Sequence, residues 1–463
     1  MFKKEVYVER RRKLSNHLQK GLVLFLGNTD VPMNYPSNIY HWRQDSTFLY
    51  FYGLDYQNMA AVMDLDNGNE YLFGNDVSLG DIIWMGPQIT TEEKASLCGV
   101  SNHLPFARLH DTVKEAVKQG RTIHFLPPYR AENKILLEEL TGIKPGAQKE
   151  KASVDLIKAV VALRSIKDDN EIQELEKAME TAWIMHTTAM KMAKPGVYER
   201  EIAGAIEGIA LAAGGMLSFP AIVTVRGETL HNHYHGNKLK ENDLLLVDTG
   251  AETAMRYASD HTRTTPVGGK FTPRQKDIYE AVLEAQLKAI EAIKPGVTNL
   301  SVHLLAAATL TDRLKEIGLM KGDTSSAVEQ GAHALFMPHG LGHMMGLDVH
   351  DMEDLGENYV GYNDEIKRSD IFGTAFLRLG RKYEPGFVLT IEPGCYFIPA
   401  LIDQWQSEGR FKEFINYEKV NEYRDFGGIR IEDDILVTDS GHKVMGRPIP
   451  RSIEEVEQIA ATA

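Results

Sequence analysis

Three apolar, strand-like runs in this chain each carry a carboxylate, and a buried strand cannot hold a lone carboxylate. Leu244, Leu245, Leu246 and Val247 lead into Asp248; Val388, Leu389 and Ile391 flank Thr390 and lead into Glu392; Ile429 and Ile431 alternate with Arg430 and Glu432. Burying an unpaired carboxylate costs several kcal/mol, so each acid needs a partner, a structural cation or a metal ion. Period-2 alternation puts Arg430 and Glu432 on one face of their strand, where the plain reading is a surface ion pair. Asp260 follows Asp248 by twelve residues, after a turn-like stretch. A hairpin would set the two acids side by side, although a strand-end Asp is by itself more often a turn or cap residue.

The segment 336–351 holds three histidines, His339, His343 and His350, among glycines and apolar residues. Gly340 and Gly342 disfavour regular structure and let the backbone pass close to something. Neutral imidazoles held together suit metal binding or proton transfer. Taken together, Asp248, Asp260, Glu392, Glu432 and one histidine make a ligand set for two divalent ions of borderline hardness. Two ions about 3.5 Å apart can activate water and polarise a carbonyl. Without cations, four converging acids would repel and titrate upward.

The rest of the chain bounds this reading. Its 463 residues imply two domains. A net charge of −14 is spread along the chain and argues against a nucleic-acid partner. The one basic run, Arg10, Arg11, Arg12 and Lys13, reads as a solvated helix face. Cys98 and Cys395 are too few and too far apart for a disulfide framework, which fits a reducing compartment. The N-terminus lacks the apolar core of a signal peptide and no run approaches a membrane span, so a cytoplasmic location is expected.

The first domain reads as α/β, with strands at 22–26 and 122–126 and a hairpin at 60–65 and 70–73 around Asp66, Asn67 and Gly68. A boundary is expected near 165–170, where Ser165 or Asp168 can cap the next helix. Beyond it, helices are predicted at 171–193, 198–213, 273–294 and 300–317. Strands are predicted at 221–225, 244–249, 387–391, 395–398 and 429–437, an α+β pattern with an antiparallel sheet covered by helices. Lys194, Pro195 and Gly196 end one helical pattern as Lys294, Pro295 and Gly296 end another, which is either a weak internal repeat or a generic helix stop.

At the acid- and histidine-bearing residues the chain resembles the pita-bread metallopeptidases, the family of methionine aminopeptidase, aminopeptidase P, prolidase and creatinase. The five motif positions occur in the family's order. Arg43, Gln44, Asp45 and Ser46 are similar to the N-terminal domain of the aminopeptidase P and prolidase branch. The resemblance implies a creatinase-like α/β domain over 1–165 and a pita-bread α+β catalytic domain over 166–463, with a pseudo-twofold repeat. It implies Asp248 on one metal, His343 and Glu392 on the other, and Asp260 and Glu432 bridging both. The ions would be Mn²⁺, with Co²⁺ or Zn²⁺ as alternatives. It further implies that His339 lines the pocket, that His350 donates to the substrate carbonyl, that Arg430 braces the acids, and that Glu392 shuttles the proton. A further histidine is expected before Asp248; His233, followed by Tyr234, is chosen and His231 is the alternative. The spacing of Asp248 and Asp260 exceeds the usual one by a residue, expected in the hairpin turn.

The activity implied is cleavage of Xaa-Pro bonds in proline-containing di- or oligopeptides. Arg378 falls where prolidases bind the free proline carboxylate, a task suited to a bidentate guanidinium. The prolidase reading, an Xaa-Pro dipeptidase, therefore stands first, with aminopeptidase P, acting on longer peptides, as the alternative. A homodimer with no membrane or nucleic-acid partner is expected, Asp45 reaching the other subunit's cleft. The acidic segment 353–370 reads as a variable loop. A metal-free creatinase-like enzyme and a non-catalytic binding module are the competing classes; both would be expected to lack ligands that this chain has.

Overall fold

The computed structural model describes residues 1–462. The chain divides into two compact units: Met1–Arg164 with Met352–Tyr359, and Ser165–Asp351 with the chain from Val360 onward. Part of the acidic segment after Asp351 therefore packs with the first unit rather than forming one loop on the second.

In the first unit five strands form a mixed sheet in the order Asn102–Pro105, Asn69–Gly74, Ala60–Asp64, Leu22–Leu26, Ile123–His124. The hairpin predicted around Gly68 is present, with Gly68 at φ +77° and its N–H on the Asp64 carbonyl. The basic run corrects the expectation of a solvated face. Arg10 and Arg11 are buried. Arg11 donates to the Phe51 and Cys98 carbonyls at 2.8 and 3.0 Å and to Glu70 at 2.8 Å. Those carbonyls lie in the last turns of helices Ser46–Tyr52 and Thr91–Cys98, where partial negative charge collects. Asp45 is the N-cap of Ser46–Tyr52, accepting from Phe48 N–H at 2.8 Å.

The second unit contains the predicted helices as Asp169–Met192, Glu199–Ala212, Pro273–Glu291 and Asn299–Glu316. Asp168 caps the first of them, accepting from the Asn170 and Glu171 N–H groups. The Pro-Gly repeat is structural. Gly196 N–H donates to the Leu239 carbonyl as Gly296 N–H does to Tyr383; Glu199 N–H donates to Asn237 as Asn299 N–H does to Arg381. Tyr198 bridges to Lys238 as Thr298 does to Lys382. Two half-domains thus start their second helices with the same backbone lock.

The antiparallel sheet is not one sheet but three small ones. The first comprises Ile222–Thr224, Leu244–Thr249 and His261–Pro266; the second Val388–Ile391, Asp433–Val437 and His442–Val444; the third Gly394–Tyr396 and Gly428–Arg430. The single strand expected at 429–437 is broken at Ile431 and Glu432, and Pro393 interrupts its neighbour after Glu392. Proline lacks the N–H a central ladder needs, so each chain leaves one sheet and enters another at the same level. Both glutamates sit at these breaks. Helices Asp169–Met192 and Glu199–Ala212 cover the first sheet through Met185, Ile202, Ile206, Val223, Leu245 and Val247.

Candidate metal centre

Asp248 and Asp260 are brought together by an unbroken hairpin. Asp248 pairs with Thr262 and Thr249 with His261; the same register continues to the Glu252–Ala258 bridge. Asp260 is thus diagonal to Asp248 on one face, the arrangement in which cross-strand side chains still meet. The extra residue of spacing is absorbed beyond this ladder, in a tip where Arg256 takes φ +69°, and no bulge is needed.

His343 and Glu392 meet by the same diagonal geometry. The segment 341–345 runs antiparallel to Val388–Ile391: Met345 N–H donates to the Val388 carbonyl, Thr390 N–H to His343, and Glu392 N–H to Leu341, at 2.8 to 3.0 Å. Gly342 makes this approach feasible, because a Cβ there would lie 1.9 Å from the Thr390 carbonyl oxygen. Glu432 joins the group through the hairpin: its N–H donates to the Thr262 carbonyl, and Thr262 Oγ1 donates to Glu432 Oε2 at 2.6 Å.

The tightest cluster is Asp260, His343 and Glu432, whose ligand atoms lie within 4.8 Å of one another. His343 Nε2 is 3.3 Å from Asp260 Oδ2 and 3.8 Å from Glu392 Oε1. Asp248 is turned toward Arg430, which donates to its Oδ2 at 2.6 Å. Arg430 also donates to Tyr396 Oη at 2.7 Å and to Thr262 Oγ1 at 3.2 Å. His339 Nδ1 faces the Gly340 carbonyl at 2.7 Å and therefore carries its proton, leaving Nε2 to accept from the Tyr396 hydroxyl at 2.9 Å. Tyr396 was not singled out in the sequence; its place one strand-pair from Arg430 gave no signal there.

The residues present fit divalent cations. Asp248 Oδ1 and Asp260 Oδ1 are buried without a hydrogen-bond partner. His343 Nδ1 lies 3.1 Å from the Met344 carbonyl, so its proton is placed there and the Nε2 lone pair points at carboxylates. Burial, followed by the charge of Asp248, holds the Asp260 carboxyl well above its ordinary range. Burial, followed by Asp260 and Glu392, does the same for Glu432. Glu392 is pushed up to about 8, first by burial and then by Asp260 and Asp248, with Arg430 opposing. Acids so strained toward protonation are a place for cations. Burial opposes the Arg430 charge, but Tyr396, Asp248, Glu392 and Glu432 more than offset it. Burial and then Arg430 push His339 down to about 4.

His233, chosen from the sequence, and its alternative His231 are both exposed residues of one loop. His231 lies within electrostatic reach of Arg430, Asp248, His350 and Arg378; desolvation and then Arg430 lower its pKa. Asn232 Nδ2 anchors that loop to Thr224 Oγ1 at 3.0 Å, and Tyr234 N–H caps back onto Asn232. His350 packs edge-on to His343, ring centroids 4.3 Å apart. Arg378 is half-buried and close enough for its charge to act on Glu392 and His231.

A half-domain repeat that converges four acids and a metal-ready imidazole defines a metallopeptidase of the pita-bread fold. Residues 173–439 match the model described as Metallopeptidase family M24, residues 7–124 match that of the aminopeptidase P N-terminal domain, and the chain belongs to family M24. It is 32% identical to the Xaa-Pro dipeptidase of Homo sapiens, covering 98% of this chain and 91% of that one. It is 28% identical to the Xaa-Pro aminopeptidase of Escherichia coli (strain K12), covering 99% and 98%. Among solved structures, E. coli aminopeptidase P with the inhibitor Pro-Leu superposes with a TM-score of 0.81 at 28% identity, over 99% of this chain and 98% of that one.

Proposed function

We propose that this chain hydrolyses Xaa-Pro peptide bonds at a two-metal centre and that its substrate is the dipeptide. Relatives named for both Xaa-Pro dipeptidase and Xaa-Pro aminopeptidase activity support the bond; Arg378 supports the dipeptide. A guanidinium beside Glu392 and His231 offers a free proline carboxylate the bidentate partner that an internal proline would not need. The full-length likeness to E. coli aminopeptidase P favours the second reading, release of an N-terminal residue before proline from longer peptides.

In this reading Asp248, Asp260, His343, Glu392 and Glu432 hold two ions, Mn²⁺ in first place given the oxygen-rich donors, with Co²⁺ or Zn²⁺ accepted by the single imidazole. When bound, the ions supply Lewis acidity to the water and the scissile carbonyl. Glu392, the most accessible of the four acids with 20% of its side chain exposed, receives the proton from the attacking water and passes it to the proline nitrogen. His350 donates to the carbonyl oxygen as negative charge develops there. Arg430 fixes Asp248, and His339 holds the Tyr396 hydroxyl on which Arg430 rests. His231 takes the substrate-facing place first given to His233.

The chain is read as a cytoplasmic homodimer. Cys98 and Cys395 are free and buried, as a reducing compartment keeps them. Among the described residues no helix is long and apolar enough to cross a membrane. Helix Leu79–Met85 buries none of its residues, and Trp84 is 87% exposed, an apolar surface suited to a second copy.

The test compares Xaa-Pro with Xaa-Pro-Yaa for the wild type and Arg378→Ala. The dipeptidase reading expects hydrolysis of Xaa-Pro and a rise in KM of about 10²-fold on it in the variant, in line with loss of a charged hydrogen bond. Preference for Xaa-Pro-Yaa, with an indifferent variant, would hand the site to the aminopeptidase reading.

A further inference from the structure

The short segment 165–171 contains two buried charged residues that the chemistry above does not use. Lys167 Nζ lies 2.9 Å from Asp351 Oδ2, and both side chains are only 1% exposed. Glu171, 2% exposed, accepts from the Tyr257 hydroxyl at 3.2 Å. A buried ion pair is weak evidence for stability, since desolvation offsets its attraction; where it fixes one geometry, its use lies there.

Lys167 and Glu171 reach the elements that carry Glu392, His343 and the Asp248–Asp260 pair. Lys167 N–H donates to the Gly386 carbonyl at 2.9 Å, at the start of the strand that ends on Glu392. Its ammonium holds Asp351, the residue after His350. Asp351 N–H in turn donates to the Met344 carbonyl, next to His343, at 2.9 Å, and its carboxylate accepts from Asp348 N–H at 3.3 Å. The carboxylate fills the space where Gly346 has no side chain; a Cβ there would come within 2.6 Å of it. Gly346 accepts from Ala258 N–H at 2.9 Å. Ala258 and Tyr257 belong to the hairpin that carries Asp248 and Asp260, so Glu171 grips that hairpin by its tip.

We propose that the Lys167–Asp351 pair is a positioning device: it sets the loop between His343 and His350 against the Asp248–Asp260 hairpin and so places the His350 imidazole for the reaction. Lys167 and Asp351 are positioning residues and touch no substrate. The inference rests on the peptidase reading for its kinetics but not for its geometry.

The experiment is a double-mutant cycle between Lys167→Met and His350→Ala in the metal-loaded full chain. Lys167→Met is expected to lower kcat about 10²-fold, as a misplacement near 1 Å does, with KM within about threefold and metal content unchanged. In the His350→Ala background the same substitution should have no further effect, and Lys167→Arg should restore most of the activity. Because Lys167→Met leaves Asp351 buried and unpaired, Lys167→Met/Asp351→Asn is made alongside; it removes both charges and should fold while remaining as slow. Equal losses in both backgrounds, or full activity of the doubly neutral variant, would overturn the proposal. A second readout needs no substrate: the His350 imidazole ¹⁵N resonance should move in the doubly neutral variant. An unmoved resonance refutes the positioning role, whereas a wild type inactive on both peptides but with the expected shift refutes only the peptidase reading.

Discussion

The two halves of the catalytic unit deliver their ligands by one geometric device and build it differently. In the first half, Asp248 and Asp260 are diagonal neighbours on a true two-stranded ladder that keeps one register from Leu244–Pro266 to Glu252–Ala258. In the second, His343 and Glu392 are diagonal neighbours across a strand and an irregular segment that follows it through backbone bonds. Asp248 lies in a strand of Leu and Val, and Asp260 directly precedes the buried strand His261–Pro266. A glycine-bearing segment instead offers three imidazoles, His343 buried and His339 and His350 half-buried. A regular ladder stands on one side of the centre and an irregular, histidine-bearing segment on the other.

The comparison is broken most severely by removing one ligand from each side. Asp260→Ala and His343→Ala should both reduce Xaa-Pro hydrolysis to background and lower the metal measured in purified protein; retention of both ions and activity by either would separate the halves. Next in size, Gly342→Ala should destabilise the second half by about 1–3 kcal/mol, the cost of overpacking, read from the denaturant midpoint. A midpoint equal to wild type would mean that the segment beside Val388–Ile391 yields easily.

Acid should weaken the second half through a pair of histidines remote from solvent. His303 and His333 are buried with ring centroids 6.1 Å apart, and none of their ring nitrogens has a hydrogen-bond partner. Burial pushes their pKa values down to about 3 and about 4. Their folded values lie below the unfolded value near 6.5, so the unfolded chain binds more protons between about pH 4 and 6.5. Stability is then complete above that window and falls as pH falls, by at most about 1.4 kcal/mol per unit for each ring. His303→Phe should flatten this slope in urea titrations at pH 7 and pH 5; an unchanged slope would locate the acid sensitivity elsewhere. The smallest effect is expected from deleting Ala254, an exposed residue of the hairpin tip. Since the ladder ends before it, stability should change by under about 1 kcal/mol and metal content should stay the same; loss of metal would show that the tip sets the register.

Much of the centre was legible because burial of an acid on an apolar strand is a loud signal. The diagonals were not, since register is a property of two strands. The strand His261–Pro266 is implied by the hairpin expected at Asp248 and Asp260 but is absent from the predicted strands. Its residues, His261, Thr262, Arg263, Thr264 and Thr265, carry no apolar pattern, yet all are buried. They lie between sheets, where Arg263 bonds Asp433 and the Glu432 carbonyl and Thr264 meets the backbone of Arg430. Arg10 and Arg11 misled in the same way: a guanidinium can be a core residue when helix-end carbonyls surround it. Nothing in the sequence separates His231 from His233, since the anchor of their loop, Asn232 on Thr224, is a tertiary contact.

Glu392 and Glu432 lie where one sheet stops and the next begins, outside the named strands, Glu432 held by a single bridge to Thr262. Their backbones remain bonded to Leu341 and Thr262 whatever side chain is present. These two glutamates can therefore be exchanged without unzipping a sheet. Architecture and chemistry drift on separate clocks here: a descendant could fall silent as an enzyme by two substitutions and still inherit an intact scaffold, free to be recruited for holding what its ancestor cut.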